Sequence, residues 1–197
     1  MKRRLGAGAL LLLAACGGPR SYDLAPQAAR DAIAGAPKWM MEVPQDDDHL
    51  TASATATSRD FQVALDKART LAQVDIAQQL GARMTNLTKQ FQEETGMATD
   101  SELLTQFSSA TKAIADETLV GARVAERVVQ PEGDIYRAYV LMQLPVGRAN
   151  ELLLQKLQSQ SAIYTRFRAT QAYGELDAEL KRYEAFRAAQ VPAPPPQ

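Results

Sequence analysis

Eleven apolar residues recur at three- and four-residue steps along one stretch: Phe61, Ala64, Leu65, Ala68, Leu71, Ala72, Ile76, Leu80, Met84, Leu87 and Phe91. That spacing marks one face of an α-helix, predicted over residues 59–94, with Thr57 or Ser58 as its cap and Thr95-Gly96 as its stop. At 1.5 Å per residue the rod is roughly 50 Å long, more than a small domain is wide. The chain must bend it, with Gly81 the candidate hinge, or let its far end project, and must cover the stripe. Residues 49–57 begin to do so. Leu50, Ala52, Ala54 and Ala56 alternate with Thr51, Ser53, Thr55 and Thr57, the period of a half-buried strand. An almost all-alanine face lets the neighbouring element approach closely.

A second helix is predicted over residues 101–116, opened by a capping box of Thr99 and Glu102 and lined by Leu103, Leu104, Phe107, Thr111 and Ile114. The short connection makes it an antiparallel partner for the far end of the first. Residues 119–130 and 135–144 are rich in strand formers and flank Pro131-Glu132-Gly133-Asp134, which predicts a β-hairpin with a four-residue turn. Pro145 suits the first position of a final helix running from residue 146 to about 190. The order β-α-α-β-β-α implies an α+β fold, a three-stranded antiparallel sheet with helices on one face and a long C-terminal helix. The strands and first two helices are expected to form their own core, with residues 158–190 a helical extension and Trp39, the only tryptophan, plugging the core.

The amino terminus has a different character. Lys2, Arg3 and Arg4 precede an apolar run from Leu5 to Ala15, about half of the roughly 20 residues a membrane-crossing helix requires. This is the pattern of an export signal. It ends in Leu13-Ala14-Ala15-Cys16, which resembles the lipobox of bacterial lipoproteins. The resemblance implies cleavage between Ala15 and Cys16, a diacylglyceryl thioether on the Cys16 thiol, and acylation of the new amino terminus, typically with palmitate. Gly17 stands where, in enterobacterial lipoproteins, an aspartate favours the inner membrane, and so points to the outer one. Removing 15 of 197 residues leaves 182, and losing three of 22 basic residues leaves 19 against 23 acidic ones. Residues 16–36 read as a flexible tether with a short helical turn at 27–34 and a reach of roughly 25 Å. Residues 191–197, VPAPPPQ, read as an extended proline-rich tail.

The residue inventory excludes most chemistry. One histidine and one cysteine cannot supply a Ser-His-Asp or Cys-His set, nor a zinc site, and no glycine-rich loop follows a strand. Asp46-Asp47-Asp48 lacks the alternate spacing and glycine of a calcium loop and reads as solvated, with His49 titrating there without a role. Glu93 and Glu94 read as solvated charges at a helix end. The mildly acidic mature chain offers no basic face for nucleic acid. Aromatic residues interleaved with arginines after Tyr164 suggest instead a partner-docking, self-associating or fold-back helix. The chain is read as a non-enzyme without cofactor, metal or nucleic-acid partner.

Between residues 37 and 157, Pro37-x-Trp39, the alanine-rich strand, Ala64-x-x-x-Ala68-Arg69-x-Leu71-Ala72-x-x-x-Ile76 and Tyr136-Arg137-Ala138-Tyr139-Val140-Leu141 resemble the LPP-twenty-like lipoprotein domain. Relatives usually place glycine where this chain has Ala52-Ser53-Ala54. The resemblance implies a lipid-anchored, periplasm-facing outer-membrane protein with a structural or docking role and no catalytic residues. Within that frame the alternatives are activation of a periplasmic cell-wall enzyme or a part in flagellar assembly at the outer membrane.

Overall fold

The computed structural model describes residues 27–96, 101–118 and 121–190. The chain divides into two compact units at Gly35/Ala36. In the first, helix α1 (Gln27–Ala34) is the described element, at the place where a helical turn is expected.

The second unit is built on three antiparallel strands, β1 (His49–Ser58), β2 (Arg123–Glu132) and β3 (Ile135–Pro145), in the order β1-β3-β2. β3 takes the centre because it is apolar on both faces. Ala138, Val140, Met142 and Leu144 join the main core, while Tyr139 and Leu141, on the opposite face, are each 2% exposed. Opposite it on β1, Ala52 pairs with Met142 and Ala54 with Val140, small against large. Helix α2 (Lys38–Met41) touches β1 and β3. Trp39 within it is half-buried and lies outside the main core, so it is not the plug the sequence suggests.

The hairpin turn is tighter than expected. Only Gly133-Asp134 separates the strands, and Pro131 and Glu132 belong to β2, paired with Tyr136 and Ile135. Gly133 has φ +59°, where a two-residue II′ turn places its glycine. Pro131 is tolerated because β2 is an edge strand. The strand begins at Arg123, not at residue 119, and Ala125 is bulged out of the pairing between Val124 and Glu126.

The long stripe forms α3 (Phe61–Thr95), packed on β1 and β3. Its cap is Asp60, whose carboxylate accepts from the Val63 N–H at 2.9 Å; Ser58 instead accepts from the Asp60 N–H at 3.2 Å. Gly96 ends it in the left-handed conformation. Ala64, Ala68, Ala72, Ile76 and Leu80 are fully buried, but Leu71 is 52% and Phe61 49% exposed, against expectation. Helix α4 (Ser101–Thr118) lies against α3 and buries Phe107, Thr111 and Ile114; Thr99 of the expected capping box lies outside the described residues.

The single long C-terminal helix is in fact three: α5 (Val146–Gln158), α6 (Ser161–Phe167) and α7 (Gln171–Gln190). Gln160 leaves helical geometry at φ −124°, ψ 82°. After Phe167 the chain turns again at Thr170, whose hydroxyl donates to the Phe167 carbonyl and accepts from the Tyr173 N–H. These breaks turn Phe167 inward. Its ring stands 5.3 Å from Phe107 and 5.9 Å from Phe91, which stack on each other at 4.2 Å. α7 then packs back on α5, and Ala172 and Leu176 enter the core. Residues 158–190 therefore complete the core, and the β-α-α-β-β-α outline gains two short helices before β1 and two after α5.

Candidate functional site

Ala15 and Cys16, the expected cleavage and lipid-attachment residues, lie outside the described residues, as does the tail at 191–197. Within them, the polar side chains gather where α7 docks.

At one end of that seam is the acidic loop. Asp46 accepts from the Asp48 N–H at 2.8 Å, and its carboxylate lies 3.0 Å from Nδ1 of His49. Burial pushes the Asp46 carboxyl up, but the His49 ring and the Asp48 amide outweigh it and hold the group below its ordinary value. Asp48 takes a hydrogen bond from Arg182 of α7 at 2.9 Å, which holds the guanidinium above its ordinary value, and its carbonyl accepts from the Val146 N–H. The Phe186 ring stands edge-on to His49 at 6.4 Å. The loop is thus a clasp between β1, α5 and α7, and His49 is a member of it. At the other end of α7, Glu94 accepts from the Gln171 N–H at 2.5 Å, placing a carboxylate on the helix amino terminus, where partial positive charge favours it.

Midway, α3, α5 and α7 enclose an open cleft of about 470 Å³ whose polar lining includes Gln79, Arg83, Asn150 and Glu179. One oxygen, Oε2 of Glu179, accepts from the amide of Asn150 at 2.7 Å and from the guanidinium of Arg83. Asn150 is 1% exposed. These two bonds to one carboxylate fasten α7 to α3 and α5. Sequence reasoning missed them. The readable signal was a lone asparagine in the apolar series Val146, Ala149, Asn150, Leu153, Leu154, Leu157.

Most of the aromatic-arginine interleaving is consumed in packing, with Phe186 left 45% exposed. Tyr173 stands 5.6 Å from Phe167 and 6.5 Å from Tyr164, and burial raises its hydroxyl above the ordinary range. Arg168 and Arg187 lie over Tyr164 and Tyr183 of their own segments. Among the described residues no three His, Cys, Asp or Glu side chains cluster as a metal would require, and no helix is long and apolar enough to cross a membrane. No family model and no curated protein matches this chain.

Proposed function

We propose that this chain is a lipid-anchored lipoprotein of the bacterial outer membrane, with a non-catalytic structural or docking role on the periplasmic side. The observation that carries the reading is Leu13-Ala14-Ala15-Cys16: the only thiol of the chain stands directly after small residues, behind a basic start and a short apolar run. Two or three acyl chains on Cys16 hold a protein at a bilayer essentially permanently, at about 0.8 kcal/mol per buried CH₂. A non-catalytic role accords with the commitment of Glu179, Asp46 and Glu94 to partners of the fold itself. With α7 folded back, docking to a protein partner falls to the open margin of the clasp, where Phe186, 45% exposed, stands edge-on to His49.

The test is mass spectrometry of the amino-terminal peptide from cells making the full chain. A mature terminus at Cys16 bearing diacylglycerol is expected, and Cys16→Ser abolishes lipid labelling and releases the protein from membranes. An unmodified Cys16, or a mature terminus elsewhere, overturns the reading.

A further inference from the structure

The two outer strands of the sheet are treated very differently by the sequence. β2 carries Arg123, Glu126, Arg127 and Glu132, a bulge at Ala125, and Pro131, and these are the devices that keep a sheet edge from pairing with another chain. β1 has none of them. From Leu50 to Ser58 it holds no charge, no proline and no bulge, it pairs with β3 without a break, and no described strand lies on its other side. Leu50 to Ser58 is a regular, uncharged edge crossed by the Gln79 amide at the Thr51 carbonyl, and such an edge is a template for strand addition.

The sequence of that edge names the strand that fits it. Thr51-Ala52-Ser53-Ala54-Thr55 reads the same in both directions about Ser53. Antiparallel pairing with a second copy, centred on Ser53, therefore sets Thr51 opposite Thr55, Ala52 opposite Ala54, and Ser53 opposite itself. A two-fold interface requires this self-complementarity. An independent observation falls on the same register. The Thr51 and Thr55 hydroxyls are buried and have no hydrogen-bond partner. Centred on Ser53, Thr51 and Thr55 stand opposite each other's copies at a Cβ separation of about 5 Å, within which cross-strand threonine hydroxyls bond once they rotate toward the seam.

The helix layer agrees. α3 lies over β1 and β3 and hardly touches β2, so its axis runs close to the β1–β3 seam. With strands about 4.8 Å apart, a second copy across β1 brings the two α3 helices to about 10 Å, the separation of packed helices. Leu71 begins the row Leu71, Asp75, Gln79, each one turn on, and Gln79 donates to the Thr51 carbonyl at 3.0 Å. The row thus borders β1, and Leu71, 52% exposed in the single chain, stands on the flank the second helix would cover.

We propose that β1 is the seam of a two-fold homodimer, in which two three-stranded sheets join antiparallel about Ser53 into one of six strands. The dimer is closed, because each copy has one unguarded edge, and it does not depend on the lipid reading.

The test uses the full chain in detergent micelles with Cys16→Ser, so that each added cysteine is the only thiol. Opposed Cα atoms in an antiparallel pair lie about 4.5–5.5 Å apart, within disulfide range, whereas Thr51 and its own copy would be roughly 13 Å apart. On oxidation with diamide, Ser53→Cys is expected to give a disulfide dimer. Thr51→Cys alone gives none, and a mixture of Thr51→Cys with Thr55→Cys does. Sedimentation of the chain without added cysteine is expected to show a dimer, and Ser53→Lys, which opposes two like charges, weakens it roughly a hundredfold. A monomer at every concentration, an open series of oligomers, or a Thr51→Cys chain that crosslinks as readily as Ser53→Cys overturns the proposal. Should Ser53→Lys fail to fold, as its melt would reveal, the cysteine register alone decides.

Discussion

A Cβ built on Gly147 would fall 2.1 Å from the Cβ of Tyr183 and 2.4 Å from its ring. No real pair of side chains comes so close, so the backbone of α5 touches α7 directly at this point. Only glycine permits that approach. Gly147→Ala must push Tyr183, and with it the carboxyl half of α7, away from α5, at a cost of about 3 kcal/mol from overpacking. Gly174, in α7 itself, has nothing within 4 Å of where its Cβ would be. Gly174→Ala therefore stabilises by about 0.5–1 kcal/mol through helix propensity. Chemical denaturation of the two variants should move the midpoint in opposite directions; a shift of the same sign would show that the α5–α7 contact is loose.

The stack of Phe91, Phe107 and Phe167 joins α3, α4 and α6, and all three rings are fully buried. Phe167→Ala removes the ring on which the other two close and is expected to cost about 3–5 kcal/mol. Truncation after Gln160 removes Ile163, Phe167, Ala172 and Leu176 from the core together. The truncated chain is expected to lose its cooperative melt and bind a hydrophobic dye such as ANS, as a loosely packed state does. A sharp transition in the truncated chain would mean that the sheet and the first helices suffice alone.

That outcome bears on what could be read from the sequence. Local signals carried far: the alternation of β1, the three-to-four spacing of α3 and the Gly133 turn are consequences of residues a few positions apart. Residue patterns also placed Phe107 and Ile114 on the inner face of α4. What failed were properties set by distant partners. Nothing near Ser159 or Thr170 announces a helix break as proline would, and the chain turns there because Phe167 is better buried against Phe91, 76 positions upstream by number, than carried outward on a rod. The same holds for Asn150 and Glu179, whose pairing exists only once α7 has folded back. Leu71 shows the converse, since its place in the stripe is helical spacing alone while its exposure depends on what lies beside β1. The lipobox-like pattern Leu13-Ala14-Ala15-Cys16, by contrast, is wholly local and is read without any fold.

Glu179 and Asn150 should respond unequally to substitution. Glu179→Ala leaves the Asn150 amide buried at 1% exposure without its acceptor, and a buried donor left unmade costs about 1–3 kcal/mol. Asn150→Leu removes the buried donor instead, while Glu179 keeps Arg83 as partner. The leucine variant should therefore lose less than half as much stability as the alanine variant, although both delete the same hydrogen bond. Equal losses in urea unfolding would show that the bond itself, and not the stranded amide, carries the energy.

Acid should loosen the clasp at Asp46 in a definite window. The His49 ring and the Asp48 amide hold the folded carboxyl below its ordinary value of 3.8, despite the upward push of burial. A carboxyl depressed on folding contributes stability that is fully present above its unfolded value and is lost as pH falls through the folded one. The contribution is therefore intact at neutral pH and disappears below about 3.8. Asp46 is half exposed, so the effect is on the order of a few tenths of a kcal/mol. Glu132, held down by the hydrogen bonds of Arg137, titrates in the same direction, so the wild-type slope contains both groups. Asp46→Asn should then flatten the decline of melting temperature between neutral pH and pH 2.5 without abolishing it, and Asp46→Asn with Glu132→Gln should flatten it further. An unchanged acid slope in the single variant would mean that the carboxylate has the same proton affinity folded and unfolded, and that the β1 end of the clasp rests on Asp48 and Arg182 alone.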